Sequence, residues 1–172
     1  EGDDVRLLCD VVDGNPVNVT RVKWIKRNSD GTDAVINETS GNVIVWESVD
    51  RSLTGNYSCV AENAAGWSNI SNSLEIDVKY LPGTATVRQT NGEYAVKGKQ
   101  LILRCDVESM GKPEAYEYLW EQNGDPLSSE RDATLYIDNV NLSVRGNYSC
   151  AAVSRVGIGP KGKLSLTLQY FA

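Results

Sequence analysis

Apolar side chains along this chain fall at every second position in short runs, and glycine, proline, asparagine and serine separate the runs. Val5, Leu7 and Cys9 share one face of such a run, with Arg6 and Leu8 on the other. Ile44 and Trp46 alternate with polar or outward positions in the same way, and so do Tyr57 and Cys59. A period of two belongs to half-buried antiparallel strands. No stretch carries the 3.6-residue period of a long amphipathic helix. The expected class is all-β, with strands packed as two facing sheets.

The pattern is written twice. Val5-Arg-Leu-Leu-Cys9 matches Leu101-Ile-Leu-Arg-Cys105, and Trp24 and Trp120 each follow their cysteine by 15 residues. Ile44-Val-Trp46 matches Leu135-Tyr-Ile137, and Gly55-Asn-Tyr-Ser-Cys59 recurs letter for letter at Gly146-Asn-Tyr-Ser-Cys150. The offset is 96 residues early in the repeat and 91 later, so the second copy is shorter by about five residues after its tryptophan. A length of 172 residues suits two domains, placed at 1–80 and 81–172. Lys79-Tyr-Leu-Pro-Gly83 reads as their short junction, and a junction that short predicts a semi-rigid rod.

The cysteines stand 50, 46 and 45 residues apart, whereas zinc sites need close pairs, and the chain has no histidine. Two disulfides are expected in place of a metal site, which puts the protein in an oxidising compartment. Six Asn-x-Ser/Thr triplets, at Asn18, Asn37, Asn56, Asn69, Asn141 and Asn147, agree with that compartment as glycosylation sites. No apolar run approaches the roughly 18 residues of a membrane span. Glu1-Gly-Asp-Asp leads directly into the first strand without a signal-peptide pattern. The chain therefore reads as a fragment that does not itself insert into a membrane.

Cysteine, tryptophan, an apolar-x-apolar strand and Gly-x-Tyr-x-Cys, in that order and twice over, resemble the immunoglobulin superfamily across essentially the whole chain. The resemblance implies two tandem immunoglobulin-like β-sandwiches, each with one inter-sheet disulfide, Cys9 with Cys59 and Cys105 with Cys150. A loop of about 50 residues closed in this way contributes on the order of 4 kcal/mol in the chain-entropy account. Trp24 and Trp120 are then the rings packed on the sulfurs, and Tyr57 and Tyr148 the core tyrosines whose hydroxyls reach the backbone at the strand corner. Gly55 and Gly146 make the turn into that strand. Leu53 and Val144 occupy a position where the family often has aspartate, so the corner exchanges a polar contact for an apolar one. The cysteine spacing is similar to that of short I-set or constant-like domains, and the first copy starts after the family's usual first edge strand. Asp13-Gly-Asn-Pro16, Ala61-Glu-Asn-Ala-Ala-Gly66 and the Leu-Pro junction are similar to adhesion receptors of the nephrin and echinoid type. That likeness implies the ectodomain of a single-pass plasma-membrane protein, with protein ectodomains of the same superfamily, a second copy included, as partners.

Charge narrows the partners further. Up to Tyr80 there are 13 acidic and 7 basic residues, and beyond it 10 of each, which accounts for the net charge of −6. Without a basic stripe the chain offers nothing to nucleic acid, heparin-like chains or anionic lipid. Without histidine there is no serine or cysteine triad of the usual kind, and no pair of carboxylates is set up for acid–base work. Binding without catalysis, and without a cofactor, is the expectation. The ligand-binding part of a signalling receptor is the alternative to adhesion. An intracellular mechanical array fits poorly with six glycosylation triplets. Trp46 is expected in the core. Arg145-Gly-Asn147 and Ile76-Asp-Val78 look superficially like integrin-binding triplets, but both are read as structural. Trp67, after the hairpin turn that follows Cys59, is the candidate interface residue, with Ile158 as its counterpart. Asn56, Asn69 and Asn147 are expected to face outward on the same sheets, so that their glycans shield them and the two domains act as spacers.

Overall fold

The computed structural model describes residues 1–169, so the last three residues of the expected second domain, 170–172, lie outside the described residues. The chain is all-β and divides into two units, Glu1–Val78 and a second that begins at Lys79. In the first unit the strands are β1 (Val5–Leu8), β2 (Arg21–Arg27), β3 (Asp33–Thr39), β4 (Val43–Trp46), β5 (Gly55–Asn63), β6 (Gly66–Trp67) and β7 (Leu74–Ile76). One sheet pairs β1 with β4, and the other runs β3-β2-β5-β6, with β7 also on β5. The alternating pattern sets the burial: Leu7 is 9% exposed and Leu8 60%.

The second unit contains β8 (Ala85–Gln89), β9 (Ala95–Val96), β10 (Leu101–Val107), β11 (Glu117–Gln122), β12 (Asp125–Pro126), β13 (Thr134–Ile137), β14 (Gly146–Val153), β15 (Gly162–Leu166) and β16 (Leu168–Gln169). Its sheets run β13-β10-β8 and β12-β11-β14-β15, with β9 beside β16 in parallel. Two differences separate the copies. No strand equivalent to β8 pairs with β1 among the described residues. The five residues missing from the second copy fall where β3, seven residues long, becomes β12, two residues long. The segment read as a junction is tied into the second unit: Tyr80 and Lys112 exchange backbone bonds of 3.0 Å, Gly83 N–H donates to Ser109 at 2.8 Å, and Pro82 is fully buried.

Each core is built around its disulfide. Cys9–Cys59 and Cys105–Cys150 join the two sheets of their units with Cα atoms 6.1 and 6.0 Å apart. Trp24 and Trp120 pack in these cores, directly opposite Cys59 and Cys150 in the strand register. Their indole N–H groups find partners, Thr39 Oγ1 at 3.0 Å and the Asp132 carbonyl at 2.8 Å, as a buried donor requires. Trp46 is half-buried and lies with its ring centre 5.6 Å from that of Tyr57. Leu53 packs against the first core and Val144 is buried in the second.

The two tyrosines differ. The Tyr57 hydroxyl donates to the Leu53 carbonyl at 2.5 Å, which forms the corner bond anticipated from the sequence. Tyr148 is as deeply buried, yet no bond from its hydroxyl to Val144 is present among the described residues. The expectation of a second corner bond is corrected accordingly. Burial without that partner pushes the Tyr148 phenol up to about 12. Beside it, Gly146 has φ +121°, and an added Cβ would stand 2.2 Å from Asn123 Oδ1, so glycine is required there.

Candidate binding surface

Trp67 lies on the outward face of the β3-β2-β5-β6 sheet, directly opposite Glu62 of β5. The period of two that sends Trp24 and Cys59 inward sends Arg21, Lys23, Glu38 and Glu62 outward. Lys23 Nζ stands 4.3 Å from the Trp67 ring centre and Arg21 Cζ 5.4 Å, so both cations cover the ring. Arg21 Nε donates to Glu62 at 2.7 Å, a guanidinium nitrogen lies 3.4 Å from Glu38, and Lys23 is 3.9 Å from Glu38. The hydrogen bond from Arg21 holds the Glu62 carboxyl below the usual carboxylate range, and Glu62 in turn raises the Arg21 guanidinium. Two cations and two carboxylates thus balance around one indole that remains 39% exposed. Beside it is a cavity of about 170 Å³ lined by Val11, Val17, Val19, Ala65 and Trp67, among others. The counterpart Ile158 makes an isolated bridge to Val153, carries no charged cluster of this kind and is half exposed.

All six glycosylation triplets have exposed asparagines. Asn18 lies in the loop before β2, Asn37 on β3, Asn56 on β5, Asn69 between β6 and β7, and Asn147 on β14. Asn141 caps the 3-10 turn Leu142–Val144, its Oδ1 accepting from Ser143 N–H at 2.8 Å and Ser143 Oγ at 2.6 Å. Asp50 does the same for the turn Arg51–Leu53 in the first unit, so the second unit keeps the cap while gaining an amide nitrogen. Sequence parity put Asn69 on the face of Trp67, but strand pairing stops at Trp67 and resumes at Leu74. Between them, Ser68 Oγ accepts from Ala61 N–H at 3.0 Å and Ser71 Oγ from Cys59 N–H at 2.9 Å. Serine side chains stand in for ladder carbonyls there, so parity does not carry through. The pattern of apolar residues held no signal for this break; the clustered serines did.

Among the described residues, no group of three or more cysteine and carboxylate side chains could hold a metal ion, and no helix is long and apolar enough to cross a membrane. The Arg145-Gly-Asn147 and Ile76-Asp-Val78 triplets fall at the entry to β14 and at the end of β7.

The immunoglobulin domain family matches residues 1–63 and 84–154, and the chain belongs to that family, which is non-enzymatic. The mouse B-cell receptor CD22 is 29% identical over 170 residues, 98% of this chain and 18% of that protein. Human MAM domain-containing glycosylphosphatidylinositol anchor protein 1 is 35% identical over 143 residues, 77% of this chain and 14% of that protein. Chicken limbic system-associated membrane protein is 25% identical over 167 residues, 92% of this chain and 46% of its own length. The chain therefore spans less than half the length of each of these relatives. The N-terminal four domains of Dscam1 isoform 6.9 superpose with a TM-score of 0.57 at 18% identity, over 98% of this chain and 42% of that one. At that identity the likeness is one of fold.

Proposed function

We propose that the chain is part of the ectodomain of a cell-surface adhesion or recognition receptor, in which these two domains space and present binding domains carried elsewhere. The relatives named above include a B-cell receptor, a membrane-anchored protein and a membrane protein, which supports an extracellular setting. The observation that carries the spacer role is the state of the Trp67 face. Its indole is covered by Lys23 and Arg21 of the same unit, its charges are neutralised internally, and Asn56 of β5 lies on the same outward face of the sheet as Glu62. A glycan on Asn56 hinders a partner from approaching that sheet. A second reading stays open on one specific ground: tryptophan with 39% of its surface exposed beside a cavity of mixed apolar and polar lining fits an anchor for another immunoglobulin-type ectodomain or a second copy of this one. Nothing in the chain's charge favours the alternative of a growth-factor receptor that uses glycosaminoglycan.

Analytical ultracentrifugation of the glycosylated chain up to high micromolar concentration separates these readings. The spacer role predicts a monomer throughout, with Trp67→Ala changing only stability, by about 1 kcal/mol through loss of the cation–π contacts. A reversible dimer that Trp67→Ala weakens overturns the spacer reading and makes this face homophilic.

A further inference from the structure

The five-residue identity of the two copies contains more than the fold uses. In Gly-Asn-Tyr-Ser-Cys the glycine enters the strand, the tyrosine fills the core and the cysteine makes the disulfide. The asparagine does none of this. Asn56 and Asn147 are exposed, and neither side chain makes a hydrogen bond to the protein among the described residues. The strand period turns both away from the core, because the tyrosine and cysteine on either side of the serine point inward.

A cleft lies beside each of them. In the second unit, Asn147 borders a cleft of about 360 Å³ together with Glu121, Asn123, Ser149, Lys161 and Lys163. Its polar groups are held in place. Lys161 Nζ donates to both Glu121 oxygens at 2.8 and 2.9 Å, and Ser149 Oγ donates to Glu121 at 3.0 Å. The Glu121 side chain is only 14% exposed. Lys163, which also lines the cleft, makes no direct ion pair among the described residues, and its charge adds to that of Lys161 in holding the Glu121 carboxyl below the usual range. In the first unit, Asn56 borders a cleft of about 260 Å³ that combines Ile25 and Ile70 with Arg27 and Asp33, an ion pair of 3.0 Å. Both clefts offer fixed donors and acceptors next to an unused amide nitrogen. A pyranose with an acetamido group has the matching chemistry: hydroxyls that donate and accept, and a C–H face that packs on apolar side chains.

We propose that the shared Asn-x-Ser of the two units is a modification site whose innermost N-acetylglucosamine is seated on the protein, against Glu121, Lys161 and Lys163 in the second unit and against Ile25 and the Arg27–Asp33 pair in the first. This rests on the reading of the chain as an extracellular glycoprotein and adds to it that these two glycans are structural as well as shielding. A sugar bound only in the folded state stabilises that state by linkage. The Ser149 hydroxyl, which the triplet needs for recognition, is 7% exposed as a residue and engaged with Glu121, so attachment at Asn147 precedes closure of the second unit.

The test uses the 172-residue chain secreted with high-mannose glycans, the same protein trimmed to a single N-acetylglucosamine, and the Asn56→Gln and Asn147→Gln variants, each also prepared without glycans. Mass spectrometry is expected to find both asparagines occupied. Trimming is expected to leave the unfolding midpoint within about 1 °C, and each variant to lower it by about 4 °C in the secreted protein and not at all in the unglycosylated one. Nuclear Overhauser contacts from the acetyl methyl on Asn147 to Lys163 complete the expected result. Occupied asparagines with equal midpoints and no such contacts overturn the seating while leaving the glycoprotein reading intact. Asn56 and Asn147 empty, with other triplets occupied, overturn the site alone; six empty triplets overturn both.

Discussion

Tyr57 and Tyr148 occupy the same place in two copies of one motif, yet their hydroxyls have different surroundings. Tyr57 spends its hydroxyl on the Leu53 carbonyl, whereas Tyr148 is 1% exposed and held near a pKa of about 12 by desolvation. The sign of the consequence follows from linkage. An unfolded tyrosine ionises near its ordinary 10.0, so above that pH the unfolded state binds fewer protons than the folded one, and stability falls as pH rises towards 12. Denaturant titrations of the second unit between those limits are expected to lose on the order of 2 kcal/mol, and Tyr148→Phe is expected to flatten that slope. An unchanged slope in the variant would mean the phenol is solvated in the fold. Both tyrosines were legible as core residues from their spacing to cysteine; the presence or absence of a corner bond was not, because it depends on how closely a carbonyl four residues back approaches.

At the scale of elements, the last strand of the β3-β2-β5-β6 sheet is the informative one. It begins as β6, breaks after Trp67 and resumes as β7, with Ser68 and Ser71 accepting the N–H groups of Ala61 and Cys59 in between. Cys59 N–H is part of the buried core strand, so losing its acceptor leaves a donor unsatisfied. Ser71→Ala is expected to cost about 1–3 kcal/mol in thermal unfolding. Asn69→Gln abolishes the same glycosylation triplet without touching that bond and is expected to stay within about 0.5 kcal/mol. Equal losses in the two variants would assign the effect to the glycan and not to the serine. The break also explains why β-strand parity, which grouped Asn69 with Trp67, carries no meaning two residues beyond that tryptophan.

For the whole molecule, two disulfide-centred cores carry the stability, one in each unit. Replacing Cys9 and Cys59 together by alanine opens a loop of 50 residues and is expected to lower the stability of the first unit by about 4 kcal/mol, read by calorimetry. The matching replacement of Cys105 and Cys150, with a separation of 45, is expected to act by nearly the same amount on the second. A loss below about 1 kcal/mol in either would shift the account from chain entropy to packing of the tryptophan alone. The segment at Lys79–Gly83 is informative at this scale too. From its proline and glycine it read as a linker, but Tyr80, Pro82 and Gly83 are held by the second unit through backbone bonds and burial.

The amino-acid sequence alone determined the class, the duplication and the inward faces, because each follows from local periodicity or from the spacing of a few chemically distinctive residues, while the disulfide partners came from the resemblance to the immunoglobulin superfamily. It also located the short stretch where the second copy is abridged. Only the tertiary structure decided which polar groups meet: that Lys23 and Arg21 cover Trp67, that Thr39 serves the Trp24 indole while a backbone carbonyl serves Trp120, and that Glu121 is fastened by Lys161 and Ser149 under the amide of Asn147. The physical reason is range. Burial of an apolar side chain is set by which face of a strand it occupies, and two neighbours in sequence suffice to read that. A hydrogen bond or ion pair requires atoms within about 3 Å, and residues 12 to 40 positions apart in the chain reach that distance only when strands have been ordered into sheets.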